Sequence, residues 1–248
     1  MMVKVPSTSY ERISARYERE RGGQARATAV AEALLAWLTP GRPAVDVGVG
    51  TGIIAKTLTD RGVPIIGIDI ADGMLSQAFV RLPGSVVLAD AQELPLAPGS
   101  LGAAVFVWSL HHIGDPVAAL REARRVLDAD GHVIVVSATP DNVPDDVHVV
   151  FRKLDVLAPP READWIMRAA SSAGLRPTAT THIHLEVARS PLELVRQIED
   201  RLYSPLWDLS AEEWNTVVVP IMDELRGLED PDRKRVSTLH SPVYRFGS

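Results

Sequence analysis

The sequence predicts an α/β fold of the doubly wound kind, built on a mostly parallel sheet. Two observations predict it. From residue 43 onward, short apolar runs alternate with helix-like stretches four times, with linkers of only a few residues. The runs are nearly all apolar, as strands covered on both faces of a parallel sheet must be.

The elements follow in order. Residues 9–21 are rich in helix formers and carry Tyr10, Ile13 and Tyr17 on one helical face; Gly22 and Gly23 break that helix. A second helix is expected over residues 24–38, stopped by Thr39-Pro40-Gly41. Strands are expected over residues 44–47, 64–70, 85–88, 101–108 and 132–137. Helices are expected between them over 51–61, 72–81 and 115–127, the last with Asp115 as N-cap and Pro116 as first residue. Asp130-Gly131 reads as a turn. Residues 141–160 hold three prolines and several acids and read as an irregular insertion. A helix over 162–173 stops at Gly174, and 176–187 alternates as a strand with Thr178, Thr180, His182 and His184 on its wetter face. Helices over 191–203 and 211–228 and a short strand over 242–246 complete the chain. No second domain is separable by composition. The first 40 residues, the insertion and residues 188–240 read as a helical cap.

Composition excludes several classes. The 248 residues, 46% apolar and 23% charged, fit a globular domain rather than a disordered chain. With no cysteine there is no disulfide scaffold, thiol nucleophile or Cys-ligated metal. A net charge of −6 argues against a nucleic-acid partner. No apolar run reaches the roughly 18 residues of a membrane span, and residues 1–26 lack an apolar signal core, so no membrane partner and a cytoplasmic location are expected.

The most informative stretch is Asp46-Val47-Gly48-Val49-Gly50-Thr51-Gly52, between the first strand and its helix. Glycines there let a ligand approach the backbone, and a helix N-terminus offers free N–H groups; alone, the stretch also suits a tight turn with no ligand. Asp69 ends the second strand about twenty residues on, where a carboxylate can accept both hydroxyls of a ribose. Asp90 follows the third strand, placed to take an adenine amino group while the N–H of Ala91 serves a ring nitrogen. Either aspartate alone could be a strand-end cap; together they outline a nucleoside cleft at the carboxyl edge of the sheet. Ile53 stands where the dinucleotide fingerprint needs its last glycine, and no phosphate loop of the G-x-x-x-x-G-K-[ST] kind occurs. A nicotinamide oxidoreductase is thereby disfavoured.

Residues 45–55 (V-D-V-G-V-G-T-G-I-I-A) and 65–75 (I-I-G-I-D-I-A-D-G-M-L) resemble the first two motifs of class I S-adenosylmethionine-dependent methyltransferases, closest to the ubiquinone/menaquinone and natural-product branch. Leu88 to Leu96, Val105 to Ile113 and Arg125 to Val136 resemble the third to fifth, all in order across residues 43–137. The resemblance implies a seven-stranded Rossmann-like sheet with a final antiparallel strand, in one domain: a helical lid over 1–40, a cofactor-binding core over 43–137, and a substrate-side insertion, helices and final strands over 138–248. It implies S-adenosylmethionine as cofactor, S-adenosylhomocysteine as product and a small-molecule acceptor, with the chain a monomer or homodimer. Gly48, Gly50 and Gly52 are then expected to wrap the methionine part, Asp69 to hold the ribose, Asp90 with Ala91 the adenine, and Met74 to line the adenosine, with Asp46, Ile70 and Trp108 as further cofactor contacts. Tyr17 and Arg21, in the lid, are expected at the sulfonium and the cofactor carboxylate, core packing and a solvated helix end being the alternatives.

Methyl transfer from a sulfonium needs alignment and water exclusion first, and a base only when the acceptor must lose a proton. His111 and His112, just past the fourth strand, are the candidates, since histidine titrates near neutrality; capping the next helix is their alternative role. In some relatives such a histidine pairs with an acid after the fifth strand. Here Ser137-Ala138-Thr139 carries none before Asp141. His182 and His184 lack a third ligand, so no metal is expected. Phe151, Tyr203, Trp207 and Trp214 suit either a flat acceptor or the core of the cap. A chain that binds the cofactor without transferring methyl is the alternative function.

Overall fold

The structure, a computed structural model, describes residues 23–137, 145–157 and 164–247. It divides into two units. Among the described residues, the first comprises 23–137, 164–183 and 240–247, and the second 145–157 and 184–239. Residues 164–183 and 240–247, grouped with the substrate-side part from the sequence, thus belong to the same unit as the core.

In the first unit, α1 (Gly23–Leu35) turns Ala27, Val30, Ala31 and Leu34 inward. Then come β1 (Ala44–Val47), α2 (Ile53–Thr59), β2 (Ile65–Asp69), α3 (Asp72–Arg81), β3 (Val86–Leu88), β4 (Leu101–Val107), α4 (Pro116–Val126) and β5 (Leu127–Val136). Further along lie α6 (Trp165–Ser172), β6 (Arg176–Arg189) and β7 (Arg235–Gly247). The seven strands form one sheet in the order β3-β2-β1-β4-β5-β7-β6. Pairs among β1 to β5 are parallel and β5–β7 is antiparallel, with Val133 opposite Phe246. This is the expected fold class. β1 and β4 have every residue buried, which fits central strands covered by helices on both faces. Phe106, Phe246, Leu120 and Ala170 belong to that core.

The sheet order reverses between β1 and β4. In open α/β sheets this switch point leaves a crevice at the carboxyl ends of the strands. The segments that follow β1 and β4 flank it.

In the second unit, α5 (Asp146–Phe151) and a 3-10 turn, Arg152–Leu157, lie where the sequence reading expected irregular chain. The reason is physical. Asp145 accepts the backbone N–H of His148 at 2.6 Å as N-cap, and Val147, Val150 and Leu154 are buried at helical spacing. The flanking prolines hide this. α7 (Pro191–Glu199) has a capping box of Ser190 and Glu193 and ends four residues earlier than expected. α8 (Ala211–Glu213) and α9 (Val219–Arg226) flank a π-helical segment, Trp214–Val218. Pro220, which has no N–H to give the ladder, lies just beyond it.

Two strands also differ. β5 begins at Leu127, not 132, and a register shift against β4 absorbs the expected Asp130-Gly131 turn. β7 begins at Arg235, seven residues before the expected start at 242. Residues 9–21 lie outside the described residues.

Candidate active site

The site begins with β1 and the loop after it. Asp46 is 3% exposed, and its Oδ1 is buried with no hydrogen-bond partner among the described residues. Burial, and then the charge of Asp69, push its pKa up to about 7. Gly48 donates to the carbonyl of Ile68 at 2.7 Å and adopts φ +79°; a Cβ there would sit 2.4 Å from Cβ of Ser109. The Ser109 hydroxyl in turn donates to the carbonyl of Val47 at 2.5 Å, tying the end of β4 to the end of β1. At Gly50 the outcome is the opposite. Its φ is +57°, and a Cβ there meets nothing within 4 Å, so this side of the loop is open to a ligand. Gly52, at φ +77°, packs against Ala78. Arg81 donates to the carbonyl of Thr51 at 2.7 Å, fastening the loop to α3.

Asp69 ends β2. Its Oδ2 accepts the N–H of Gly50 at 2.8 Å and its Oδ1 the N–H of Ala71 at 2.9 Å. Burial raises its pKa, against the backbone donors that lower it. Each oxygen keeps a lone pair to accept a further donor. Asp90 lies past β3, half-buried, with its carboxylate accepting the backbone and side-chain N–H of Gln92. The segment beyond it is clasped from α4: Arg125 donates to the carbonyls of Leu94 and Leu96, and Glu122 accepts the N–H of Leu94. Ile70, beside Asp69, is 50% exposed, whereas Met74 is 2% exposed and faces the core. Met74 offers a ligand little surface. Ala91 is half-buried.

One cleft is lined by Asp46, Gly48, Gly50, Thr51, Trp108, Gly23 and Arg26. Trp108 adopts φ +51°, a region costly for a bulky side chain. The Arg26 guanidinium lies 3.6 Å from its ring centroid. Sequence reasoning missed Arg26. Its one signal is its place beside Ala27, at the edge of the apolar stripe of α1. Tyr17 and Arg21 lie outside the described residues, as does Tyr10. His111 and His112 form a 3-10 turn, Leu110–His112, after β4, with ring centroids 3.8 Å apart.

The fold and the cleft define what this chain is similar to. A family described as a methyltransferase domain matches residues 45–135. Over that stretch, just over a third of the chain, the sequence is similar to a methyltransferase domain. The demethylmenaquinone methyltransferase of Corynebacterium kroppenstedtii is 33% identical over 106 residues, 42% of this chain and 45% of that protein. A SAM-dependent methyltransferase from Thermotoga maritima shares the fold, with a TM-score of 0.58 and 20% identity over 96% of this chain and 98% of that one. So does the [4+2]-cyclase SpnF, with a TM-score of 0.58 and 16% identity over 95% and 94%. The chain matches less than half the length of the first curated relatives.

Three residues of the cleft fit the cofactor that the matched family implies. Asp46 offers a buried acceptor with no partner, Gly50 an open backbone, and Asp69 a fixed carboxylate. The aromatics that suit either a flat acceptor or the core of the cap belong to the second unit. Tyr203 and Trp207 are 9% and 7% exposed in the second unit, with the Trp207 indole donating to the carbonyl of Arg201 at 2.8 Å. Trp214 stacks under Arg201 at 4.4 Å. These aromatics have structural partners. His182 and His184 face outward on β6. No helix of the described residues is long and apolar enough to cross a membrane.

Proposed function

We propose that this chain transfers the methyl group of S-adenosylmethionine to a small, ring-bearing organic acceptor. The observation that carries the reading is the buried, unpartnered Oδ1 of Asp46 beside the glycine loop, with Asp69 held in place by Gly50. A buried carboxylate without a donor is costly and calls for a cationic or N–H-bearing ligand. In this reading Asp46 and the loop take the ammonium end of the methionine part, and Arg26 takes its carboxylate. Asp69 accepts the ribose hydroxyls, and Asp90 with Ala91 reads the adenine edge. The exposed face of Ile70 covers the purine. Bound there, the cofactor supplies a methyl group on a positively charged sulfur.

The chain's own residues do the rest. Trp108 and the loop keep water from the reacting atoms, and His111 accepts a proton from an acceptor hydroxyl, amine or activated carbon, with His112 packed against it. The quinone-directed relative supports a ring-bearing acceptor. The cofactor-binding, non-transferring alternative is separated by one measurement. Chain, S-adenosylmethionine and a panel of phenols, quinols and heteroaromatic amines are incubated, and S-adenosylhomocysteine is quantified together with a methyl-sized mass gain on the acceptor. Both products rising together support methyl transfer. Cofactor binding with neither product across the panel supports the alternative.

A further inference from the structure

The second unit contains a pocket that shares no lining residue with the cofactor cleft. Its floor follows from strand alternation. Val187 and Arg189 on β6, and Arg235, Ser237 and Leu239 on β7, occupy alternate positions, so each set points to one face. Helices α5 and α7 supply Val147, His148, Phe151 and Leu194. The lining is therefore partly apolar and partly charged.

Those charges are not equivalent. Arg235 is 10% exposed at its side chain and fully engaged: it pairs with Asp146 at 3.0 Å and donates to the carbonyls of Glu229, Asp230 and Arg233. Both oxygens of Asp145 are occupied, one by the N–H of His148 and one by the Ser237 hydroxyl. Arg189 is half-buried in the same wall and has no hydrogen bond or ion pair among the described residues. Its charge reaches His148, on which Asp145, Arg152 and Asp155 also act, while burial holds that imidazole below its ordinary pKa.

We propose that this pocket binds a carboxylic acid with a small apolar body, its carboxylate paired with Arg189 and its body against Val147, Phe151, Val187, Leu194 and Leu239. A guanidinium offers a planar fork that matches a carboxylate. Arg189 has no ion pair among the described residues, and with the charge of Asp145 in the same lining the pocket suits a monoanion better than a phosphate dianion. The proposal stands apart from the methyl-transfer reading.

Calorimetry on the full chain tests it, with phenylacetate as probe, phenylacetamide as its uncharged counterpart, and inorganic phosphate as an anion without a body. The expected result is saturable phenylacetate binding, weakened about tenfold or more for phenylacetamide and for phenylacetate on Arg189→Gln. Leu239→Trp, which adds bulk to the lining, abolishes binding. Arg189→Gln keeps the parent's cooperative unfolding transition, since Arg189 has no hydrogen bond or ion pair to lose among the described residues. The proposal is overturned by any of four results: no phenylacetate binding, equal binding to Arg189→Gln, equal binding of phenylacetamide, or phosphate binding with the same dependence on Arg189.

Discussion

Asp46 holds a carboxylate with a buried, unpartnered oxygen, and this sets its behaviour with pH. A carboxyl whose pKa lies near 7 in the folded chain and near 3.8 in the unfolded chain favours folding at low pH. That contribution is lost as pH rises through 7, a difference of about 4 kcal/mol as an upper bound. Asp46→Asn removes the charge and keeps the shape. It should melt higher than the parent at pH 8, with the gap narrowing at pH 5 and vanishing only as pH falls to the unfolded value near 3.8; an equal gap at pH 8 and pH 5 would contradict the burial argument. Ligand binding runs the other way. A carboxylate must shed its proton before taking an ammonium, so S-adenosylhomocysteine affinity should fall by up to about tenfold per unit below pH 7 in the parent and not in Asp46→Asn. Asp69→Ala should weaken the same binding by about 1–3 kcal/mol, through loss of charged hydrogen bonds to two hydroxyls. Unchanged affinity would remove Asp69 from the ribose site. Asp46, Asp69 and the glycines were legible because residue type and spacing alone mark a strand-end carboxylate and a close backbone. Arg26 was not, because whether it faces cleft or solvent depends on how α1 docks on the sheet.

At the level of elements, the loop after β1 and the turn after β4 are locked together through Gly48 and Ser109. Gly48→Ala adds a Cβ at a left-handed φ and 2.4 Å from Ser109, so one of the two segments must move. Gly50→Ala carries the left-handed strain alone, with open space around it. Gly48→Ala is therefore expected to lower the unfolding midpoint more than Gly50→Ala; the reverse order would contradict the packing described. His132, buried on β5, is a second handle. Burial first, and then the charge of Arg245, depress its pKa. The folded chain thus binds that proton less readily than the unfolded one, so stability is full above pH 6.5 and falls as pH drops below it. Urea unfolding at pH 7.5 and 5 should show a smaller acid loss for His132→Gln than for the parent, and equal losses would dismiss this role. The helix Asp146–Phe151 shows where the sequence was harder to read. Its apolar spacing is present, but prolines at 144 and 159 bracket it, and six residues are too few for periodicity to outweigh them. The early start of β7 escaped because Arg235, Ser237 and Leu239 alternate with exposed positions and resemble a loop until a partner strand is known.

For the whole molecule, the order of the sheet places the cleft. Placing β1 beside β4 puts Asp46, the glycine loop, Trp108 and the histidine turn at one switch point. Strand–helix alternation was enough to expect this arrangement, since parallel neighbours need crossovers and crossovers keep one hand. The division into two units was not legible, because β6 and β7 each carry the chain from one unit to the other without a linker of altered composition. The central claim is that the cleft holds S-adenosylmethionine. Isothermal calorimetry of the purified chain with S-adenosylmethionine and S-adenosylhomocysteine tests it most directly. Saturable one-to-one binding of both, with a dissociation constant on the order of micromolar, is predicted. A folded chain that releases no heat with either ligand would contradict it.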